Sequence, residues 1–112
     1  MRRGEVWLIN LDPTVGAEIK KTRPAVIVND DAIGVLPLKV IVPITEWRGH
    51  YVVAPWMVHL EPGAENGLNK PSAADAFQVR SVAQERFARR LGKLPDKVMQ
   101  EISRALAVVL SI

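Results

Sequence analysis

Two apolar segments near the start of the chain are joined by a polar loop that has a proline near each end. Residues 4–11 are strand formers and are apolar on both faces, which predicts a first strand. Pro13 ends that strand, and Pro24 opens a second predicted strand over 24–29, at the position where a strand tolerates proline. Gly16 gives the loop a permissive backbone. A polar loop held between two rigid strands is a favourable place for a functional site.

The rest of the chain predicts further short strands and one helix. Strands are expected at 39–45, at 51–60 with a bend at Pro55, and at 72–79; a helical turn is expected at 83–87 and an extended segment at 88–94. A helix begins at Pro95, and its nearly all-apolar end is expected to be buried in the core or in an interface. We therefore expect a mainly β (α+β) fold, a twisted antiparallel sheet or partly open barrel of about five to six strands with the helix packed against it.

Length and composition limit the possibilities. A chain of 112 residues predicts a single domain over 1–112, and 48% hydrophobic with 24% charged residues is a globular composition. There is no cysteine, so disulfides and thiolate chemistry are excluded. The net charge of +3 mildly favours an anionic partner.

Targeting and cofactor motifs are also missing from the sequence. The start, MRRGEVWL, lacks the apolar region of a secretory signal, and no run approaches the length of a membrane helix, so we expect a cytoplasmic protein that does not contact a membrane. His50 and His59 lack paired-ligand spacing, which predicts no metal site. There is no P-loop, GxGxxG or GxSxG motif, and we expect no cofactor.

Three residues fit the chemistry of a phosphate group. Arg23 lies where the loop meets the second strand, and its planar guanidinium suits a phosphate. Thr45 ends the third predicted strand and could approach Arg23 if the two strands pair. Glu18 is a candidate general base or a carboxylate that organises the loop. Taken singly, each is more simply a solvated arginine, a β-branched strand residue or an exposed loop acid.

Several other side chains suit single-stranded nucleic acid. Trp47 and Arg48 lie in a loop that interleaves aromatic rings with cations, a pattern that stacks bases and holds the backbone. The alternative is a hairpin loop whose aromatic rings cover the edge of the core. Lys20 and Lys21 could steer phosphates. The basic run at Arg86, Arg89, Arg90 and Lys93 is either a solvated face or an extension of an RNA groove.

The order of these segments carries more information than any one of them. RRGEVWLINLDPTVGAEIKKTRPAVIV, then VIVPIT, GLNKPSAA, QVRSV and RLGKL with a terminal amphipathic helix, closely resembles the MazF/PemK family of mRNA interferase toxins. The resemblance covers essentially the whole chain and is most specific over the first 45 residues. It implies an SH3-like barrel of the CcdB/MazF toxin type and a homodimer. It also implies Arg23, Thr45 and Glu18 as catalytic residues, and we expect Gln78 and Arg80 of the QVRSV segment to bind RNA.

The resemblance further implies metal-free, sequence-specific cleavage of single-stranded mRNA. The products would be a 2′,3′-cyclic phosphate and a 5′-hydroxyl, and the partner would be an antitoxin with an acidic, disordered tail. Two alternatives remain: a non-catalytic CcdB-like toxin that binds a protein such as DNA gyrase, and a β-domain that binds RNA without cutting it. In one departure from the family, Phe77 precedes Gln78 where many members have aspartate, and Asp75 is predicted to share its strand face.

Overall fold

The computed structural model describes residues 1–33 and 35–112. Within these residues it contains seven strands and one α-helix. The strands are β1 (Glu5–Asn10), β2 (Thr22–Ile27), β3 (Leu38–Glu46), β4 (Met57–Leu60), β5 (Ser72–Asp75), β6 (Arg80–Ala83) and β7 (Phe87–Lys93), and the helix is α1 (Asp96–Leu110).

The strands form one antiparallel sheet in the order β4-β5-β3-β2-β1-β7, with β6 paired to β3 outside that path. Along one edge of β3 the partner changes from β6, whose ladder ends at Ile41, to β5, whose ladder begins at Ile44. Pro43 lies in the gap between the two ladders, where a missing N–H removes no ladder bond on that edge. The mainly β fold with a C-terminal helix is confirmed, with seven strands where about five to six were expected.

The central strands are apolar on both faces because each face contributes to a separate hydrophobic cluster. Val26 belongs to the cluster that α1 covers with Met99 and Ile102. Its neighbours Ala25 and Ile27 point the other way, into a second cluster. A strand buried on both sides reads as a continuous apolar run, which is what this segment of the sequence shows.

Two predicted strands are wrong in part. Residues 51–60 do not form one strand, because Gly49–Val53 form a 3₁₀ turn and the strand begins only at Met57. Residues 72–79 do not either: β5 ends at Asp75, and a 3₁₀ turn follows over Ala76–Gln78. The separate strand β6 was not predicted.

Local hydrogen bonding explains the second of these errors. The Asp75 carboxylate accepts the Phe77 N–H at 3.1 Å, so the side chain replaces a ladder partner and starts the turn. Asp75 and Phe77 therefore do not share a strand face. Asp75 is buried, whereas Phe77 is 65% exposed.

The other boundaries are close to those predicted. The turn expected at 83–87 is a 3₁₀ turn over Gln84–Arg86, and Pro95 caps α1 instead of opening it. The apolar end of the helix is only partly in the core: Val109 packs against the first cluster, whereas Val108, Leu110 and Ile112 are 58%, 53% and 88% exposed. Their burial in an interface stays a prediction. No helix in the described part of the chain is both long and apolar enough to cross a membrane.

Candidate functional site

The pairing of β2 with β3 brings Arg23 and Thr45 to the same end of the two strands. The last paired residues are Ala25 and Pro43. Continuing the same register by two residues places Arg23 across from Thr45. Pro24 and Pro43 lie where this ladder ends, and neither has a backbone N–H to donate. The pairing of these strands, on which the approach of Thr45 to Arg23 depended, is confirmed.

Both residues line one cavity of about 270 Å³, which we call the Arg23 cavity. Its apolar floor comes from β1, β2, β3 and β7, and the opposite wall comes from the loop between β4 and β5. The lining residues are Leu8, Arg23, Pro24, Ile44, Thr45, Glu46, Gly67, Leu68, Asn69, Lys70, Ser72, Arg89 and Leu91.

Arg23 is exposed, and within the described residues only part of its guanidinium has a hydrogen-bond partner. β2 begins at Thr22, so Arg23 lies within the strand and not before it. Its Nε donates to the Lys20 carbonyl at 3.2 Å, which fixes the plane of the guanidinium. Among the described residues its terminal amino groups have no hydrogen-bond partner, so they are available for an anionic ligand.

Close backbone packing holds the wall of the Arg23 cavity in place. Gly67 adopts a φ of +71°, and a Cβ built there would overlap the carbonyl of Leu91 in β7. At the rim, Lys70 Nζ lies 3.7 Å from the Glu46 carboxylate. Because both side chains are more than half exposed, this ion pair contributes little to stability, although it sets the charge around the opening.

Glu18 is not in the Arg23 cavity. It lines a second cavity of about 470 Å³, here called the Gln78 cavity, together with Ala17, Ile19, Pro43, Phe77, Gln78, Val79 and Arg80. Its carboxylate accepts the Val15 N–H at 2.6 Å. In this structure the carboxylate therefore organises the loop between β1 and β2 (residues 11–21, the β1–β2 loop).

Gln78 and Arg80 also hold that loop. The Gln78 side chain accepts the Ile19 N–H at 2.6 Å and donates to the Ala17 carbonyl at 3.2 Å. Arg80 Nη1 donates to the Leu11 carbonyl at 3.2 Å. The Gln78 amide is thus occupied by backbone, and Arg80 uses its Nη1 in the same way. Contact of either residue with RNA stays a prediction.

The predicted lysines lie on the exposed part of the same loop. Lys21 is in the left-handed region, with a φ of 70°, and its N–H donates to Asp12 Oδ1 at 3.1 Å. Its carbonyl accepts the Leu11 N–H at 2.9 Å, which closes the base of the loop. The side chains of Lys20 and Lys21 are exposed, so both are accessible to a polyanion.

Trp47 and Arg48 follow Thr45 and Glu46 directly, beyond the rim of the Arg23 cavity. The Trp47 ring is half-buried, with its centroid 4.5 Å from that of His59 and 5.8 Å from that of Tyr51. Arg48 is exposed and its carbonyl accepts the Tyr51 N–H at 2.9 Å. The ring thus covers neighbouring side chains, and its use as a stacking surface stays a prediction.

The site contains further charged residues that sequence reasoning did not assign to it. Lys70 comes from a turn-rich loop, and its place in the cavity depends on the Gly67 contact with β7. Arg89 was noted only as one member of a basic run. Strand alternation in β7 distinguishes Arg89 from Arg90, but it shows which of them faces the cavity only when the register with β1 is known.

Among the described residues, no three His, Cys, Asp or Glu side chains are grouped so that they could hold a metal ion. Among the residues that line or support the two cavities, one carboxyl group has a perturbed pKa. Burial raises the pKa of Asp75 above its ordinary value, an effect that the backbone N–H groups of Phe77 and Gln78 partly offset. Asp75 starts the turn that carries Gln78, so its protonation state affects the segment that lines the Gln78 cavity.

Comparisons with known proteins agree with this architecture. A family model described as the PemK-like, MazF-like toxin of type II toxin–antitoxin systems matches residues 2–110. Endoribonuclease MazF9 of Mycobacterium tuberculosis is 33% identical over 118 residues, which cover 100% of this chain and 98% of that protein. Endoribonuclease PemK of Escherichia coli is 34% identical over 113 residues, covering 99% of this chain and 83% of that protein.

Solved structures give the same result for the fold. MazF of Deinococcus radiodurans superposes with a TM-score of 0.81 at 25% identity, covering 100% of this chain and 97% of that one. A mycobacterial endoribonuclease in complex with its cognate antitoxin superposes with a TM-score of 0.80 at 22% identity, covering 100% and 96%. The chain therefore belongs to the PemK-like, MazF-like toxin family of type II toxin–antitoxin systems.

Proposed function

We propose that this chain, as a single toxin domain over residues 1–112, is a sequence-specific endoribonuclease that cleaves single-stranded mRNA without a metal ion. The observation that carries the proposal is that Arg23 and Thr45 line one cavity, at the end of the ladder that pairs their two strands. Full-length relatives named endoribonucleases support it. A cation and a hydroxyl fixed across two paired strands suit a phosphate that becomes more negative in its transition state.

The reaction is an internal transfer on the RNA. The 2′-oxygen attacks the adjacent phosphorus, the bond from phosphorus to the 5′-oxygen breaks, and the products are a 2′,3′-cyclic phosphate and a 5′-hydroxyl. Arg23 stabilises the charge on the phosphorane, and Thr45 donates a hydrogen bond to a non-bridging oxygen. Arginine is in general a poor proton acceptor, so the contribution of Arg23 is electrostatic.

The role of Glu18 depends on the β1–β2 loop. To take the proton of the 2′-hydroxyl, its carboxylate must leave the Val15 N–H and the loop must move towards Arg23. That movement would also break the two hydrogen bonds between the loop and the Gln78 side chain, which accepts the Ile19 N–H and donates to the Ala17 carbonyl. The geometry therefore favours loop organisation over proton transfer as the contribution of Glu18.

RNA binding uses the surface around the two cavities. Lys20, Lys21 and Arg48 are exposed and supply positive charge for the phosphates, and the half-buried Trp47 lies beside the rim, where its exposed part can contact a base. Gln78 and Arg80 contribute by fixing the β1–β2 loop, which lies beside the path that the RNA takes.

The partners follow from the same charges. Relatives of known structure include MazF of Deinococcus radiodurans with MazE, and we assign this chain a cognate antitoxin whose acidic, disordered tail competes with RNA for the basic surface. The exposed apolar end of α1, with Val108, Leu110 and Ile112, supports a homodimer. Cleavage of mRNA places the protein in the cytoplasm.

The decisive experiment is incubation of the purified protein with a long single-stranded RNA in excess EDTA. We expect cleavage to persist, with 2′,3′-cyclic phosphate and 5′-hydroxyl ends, and sequencing of those ends gives the recognition motif. Complete loss of cleavage in chelator overturns the metal-free mechanism. Absence of cleavage with and without divalent cations, together with binding to gyrase, favours the CcdB-like alternative.

A further inference from the structure

We propose that Arg89 provides a second phosphate-binding position in the Arg23 cavity, for the phosphate next to the one that reacts. This inference rests on the proposed ribonuclease function and adds a residue to it. Arg89 lies on β7, two strands away from Arg23 across the sheet, and both residues line the same cavity.

The register of the sheet fixes the direction of Arg89. On β1, Leu8 pairs with Pro24 of β2 on one side and with Arg89 of β7 on the other. Side chains at paired positions of an antiparallel sheet point to the same face. Arg89, Leu8 and Pro24 therefore form a row on one face, and all three line the Arg23 cavity together with Leu91, two residues further along β7.

The two neighbouring arginines of the basic run are occupied elsewhere. Arg90 points to the other face of β7, where its Nε lies 3.6 Å from the Glu5 carboxylate. Arg86 donates to the carbonyls of Asn10 and Asp12 and so braces the start of the β1–β2 loop. Within the described residues the Arg89 guanidinium has no ion pair or hydrogen bond. Of these three arginines, Arg89 is the one that is directed into the cavity and still available.

The spacing suits two phosphates of one strand. Paired strands lie about 4.8 Å apart, so the α-carbons of Arg89 and Pro24 are roughly 10 Å apart. Arg23 precedes Pro24 near the start of β2 and pairs with Ile9, so its side chain starts on the opposite face of the strand, yet it also lines the cavity. The two guanidinium groups thus approach the cavity from different directions, and together they can contact consecutive phosphates. The floor between them is apolar, formed by Leu8, Pro24 and Leu91, which suits the sugar and base that connect those phosphates.

Charge balance supports the same ligand. The lining contains three cations, Arg23, Lys70 and Arg89, against one carboxylate, Glu46, which is paired with Lys70. The excess positive charge is carried by the two arginines, whose guanidinium groups bind phosphate in a bidentate geometry. A neutral or cationic ligand would leave both of them uncompensated.

The test measures binding of short single-stranded oligonucleotides that carry the cleavage motif and a 2′-deoxy sugar at the cleaved position. In matched oligonucleotides, one phosphate on either side of the scissile one is replaced by an uncharged methylphosphonate. Wild type, Arg89→Gln and the control Arg90→Gln are compared by fluorescence anisotropy over a range of salt concentrations. Circular dichroism verifies that each variant is folded.

We expect Arg89→Gln to weaken binding about 5- to 20-fold, as for loss of one charge-assisted hydrogen bond near the surface, and to lower the salt slope by about 0.7. One of the two methylphosphonates should weaken wild type by a similar factor and leave Arg89→Gln unchanged. Arg90→Gln should bind within about 2-fold of wild type, because its side chain is on the other face.

The proposal is overturned if Arg89→Gln binds like wild type, or if it loses the same factor on every oligonucleotide. The separate cleavage assay on all-ribose RNA reports on the proposed function itself. If wild type cleaves RNA but neither methylphosphonate reproduces the effect of Arg89→Gln, only the second phosphate-binding position is rejected. If wild type neither binds nor cleaves RNA, both the second position and the proposed function are rejected.

Discussion

The Arg23 cavity and the Gln78 cavity are built in different ways. Arg23, Thr45 and Arg89 project from three strands of one sheet, and their relative positions follow from ladder registers. Glu18 and Gln78 come from a loop and a 3₁₀ turn, and hydrogen bonds from side chains to backbone join them. Strand positions are over-determined by packing, whereas a loop held by a few exposed hydrogen bonds opens at a lower free energy. The first arrangement suits the chemical step, and the second suits control of access.

The largest effect should come from the Arg23 cavity. Arg23→Ala removes the cation that faces the phosphorane, and we expect kcat/KM for RNA cleavage to fall about 10²–10³-fold. The free energy of unfolding should change by less than about 0.5 kcal/mol, because the side chain is exposed. Single-turnover cleavage and urea denaturation measure the two quantities.

Arg23→Lys is the matched control for this variant. It keeps the charge and loses the planar fork, so its activity should lie between those of wild type and Arg23→Ala. If Arg23→Ala cleaves RNA at the wild-type rate, Arg23 has no part in the mechanism, and the Arg23 cavity is not the catalytic site.

The wall of the Arg23 cavity should be next in sensitivity. Gly67→Ala adds a Cβ that overlaps the Leu91 carbonyl at a positive φ, and we expect it to lower the free energy of unfolding by about 2–3 kcal/mol. Gly16→Ala is the matched control on the β1–β2 loop. Gly16 also has a positive φ, of +58°, but its Cβ position is in open space, so the loss should be about 1 kcal/mol. Equal losses measured by urea denaturation would mean that the close packing at Gly67 contributes nothing.

The same contrast explains which parts of the structure the sequence predicts. Alternation and proline placement locate β2 and β3, and once those strands pair antiparallel the meeting of Arg23 with Thr45 follows from simple counting. The contact of Gln78 with the β1–β2 loop spans 59 residues and depends on a turn that the Asp75 side chain initiates, so no periodic pattern reports it. The position of Arg89 cannot be predicted from the sequence for a related reason, since two register shifts interrupt the ladder between β1 and β7.

Variants of Glu18 should have smaller effects that separate its two candidate roles. Glu18→Gln keeps an oxygen that can accept the Val15 N–H, so we expect kcat/KM within about 3-fold of wild type. Glu18→Ala loses that acceptor, and a looser loop should lower kcat/KM about 5- to 10-fold. Gln78→Ala, which frees the same loop from the other side, should resemble Glu18→Ala.

The pH profile of cleavage distinguishes the alternatives most directly. If Glu18 takes the proton of the 2′-hydroxyl, Glu18→Gln must lose most of its activity together with the acidic limb of the kcat/KM profile. Retention of that limb in Glu18→Gln supports the loop-organising role, and its disappearance would return Glu18 to the chemical step.

The smallest expected effect is the contribution of Asp75, which supports the Gln78 cavity, to the pH dependence of the free energy of unfolding. Burial raises the pKa of Asp75 above its ordinary value near 3.8, so the folded chain binds this proton more tightly than the unfolded chain does. Stability from this group is therefore fully present below the unfolded pKa and is lost as the pH rises through the higher, folded pKa. Across that interval Asp75→Asn should gain under about 1 kcal/mol relative to wild type.

Urea denaturation between about pH 3 and pH 7 tests this expectation, because the interval begins at the ordinary carboxyl pKa and extends upward. The amide oxygen that Asp75→Asn introduces can still accept the Phe77 N–H, so the turn is kept. Asp75→Ala removes both the titration and the hydrogen bond, and it should be less stable than Asp75→Asn at every pH. If the free energies of unfolding of wild type and Asp75→Asn depend on pH in the same way, ionisation of the buried carboxyl group costs no stability. The support of the Gln78 cavity would then come from hydrogen bonds alone.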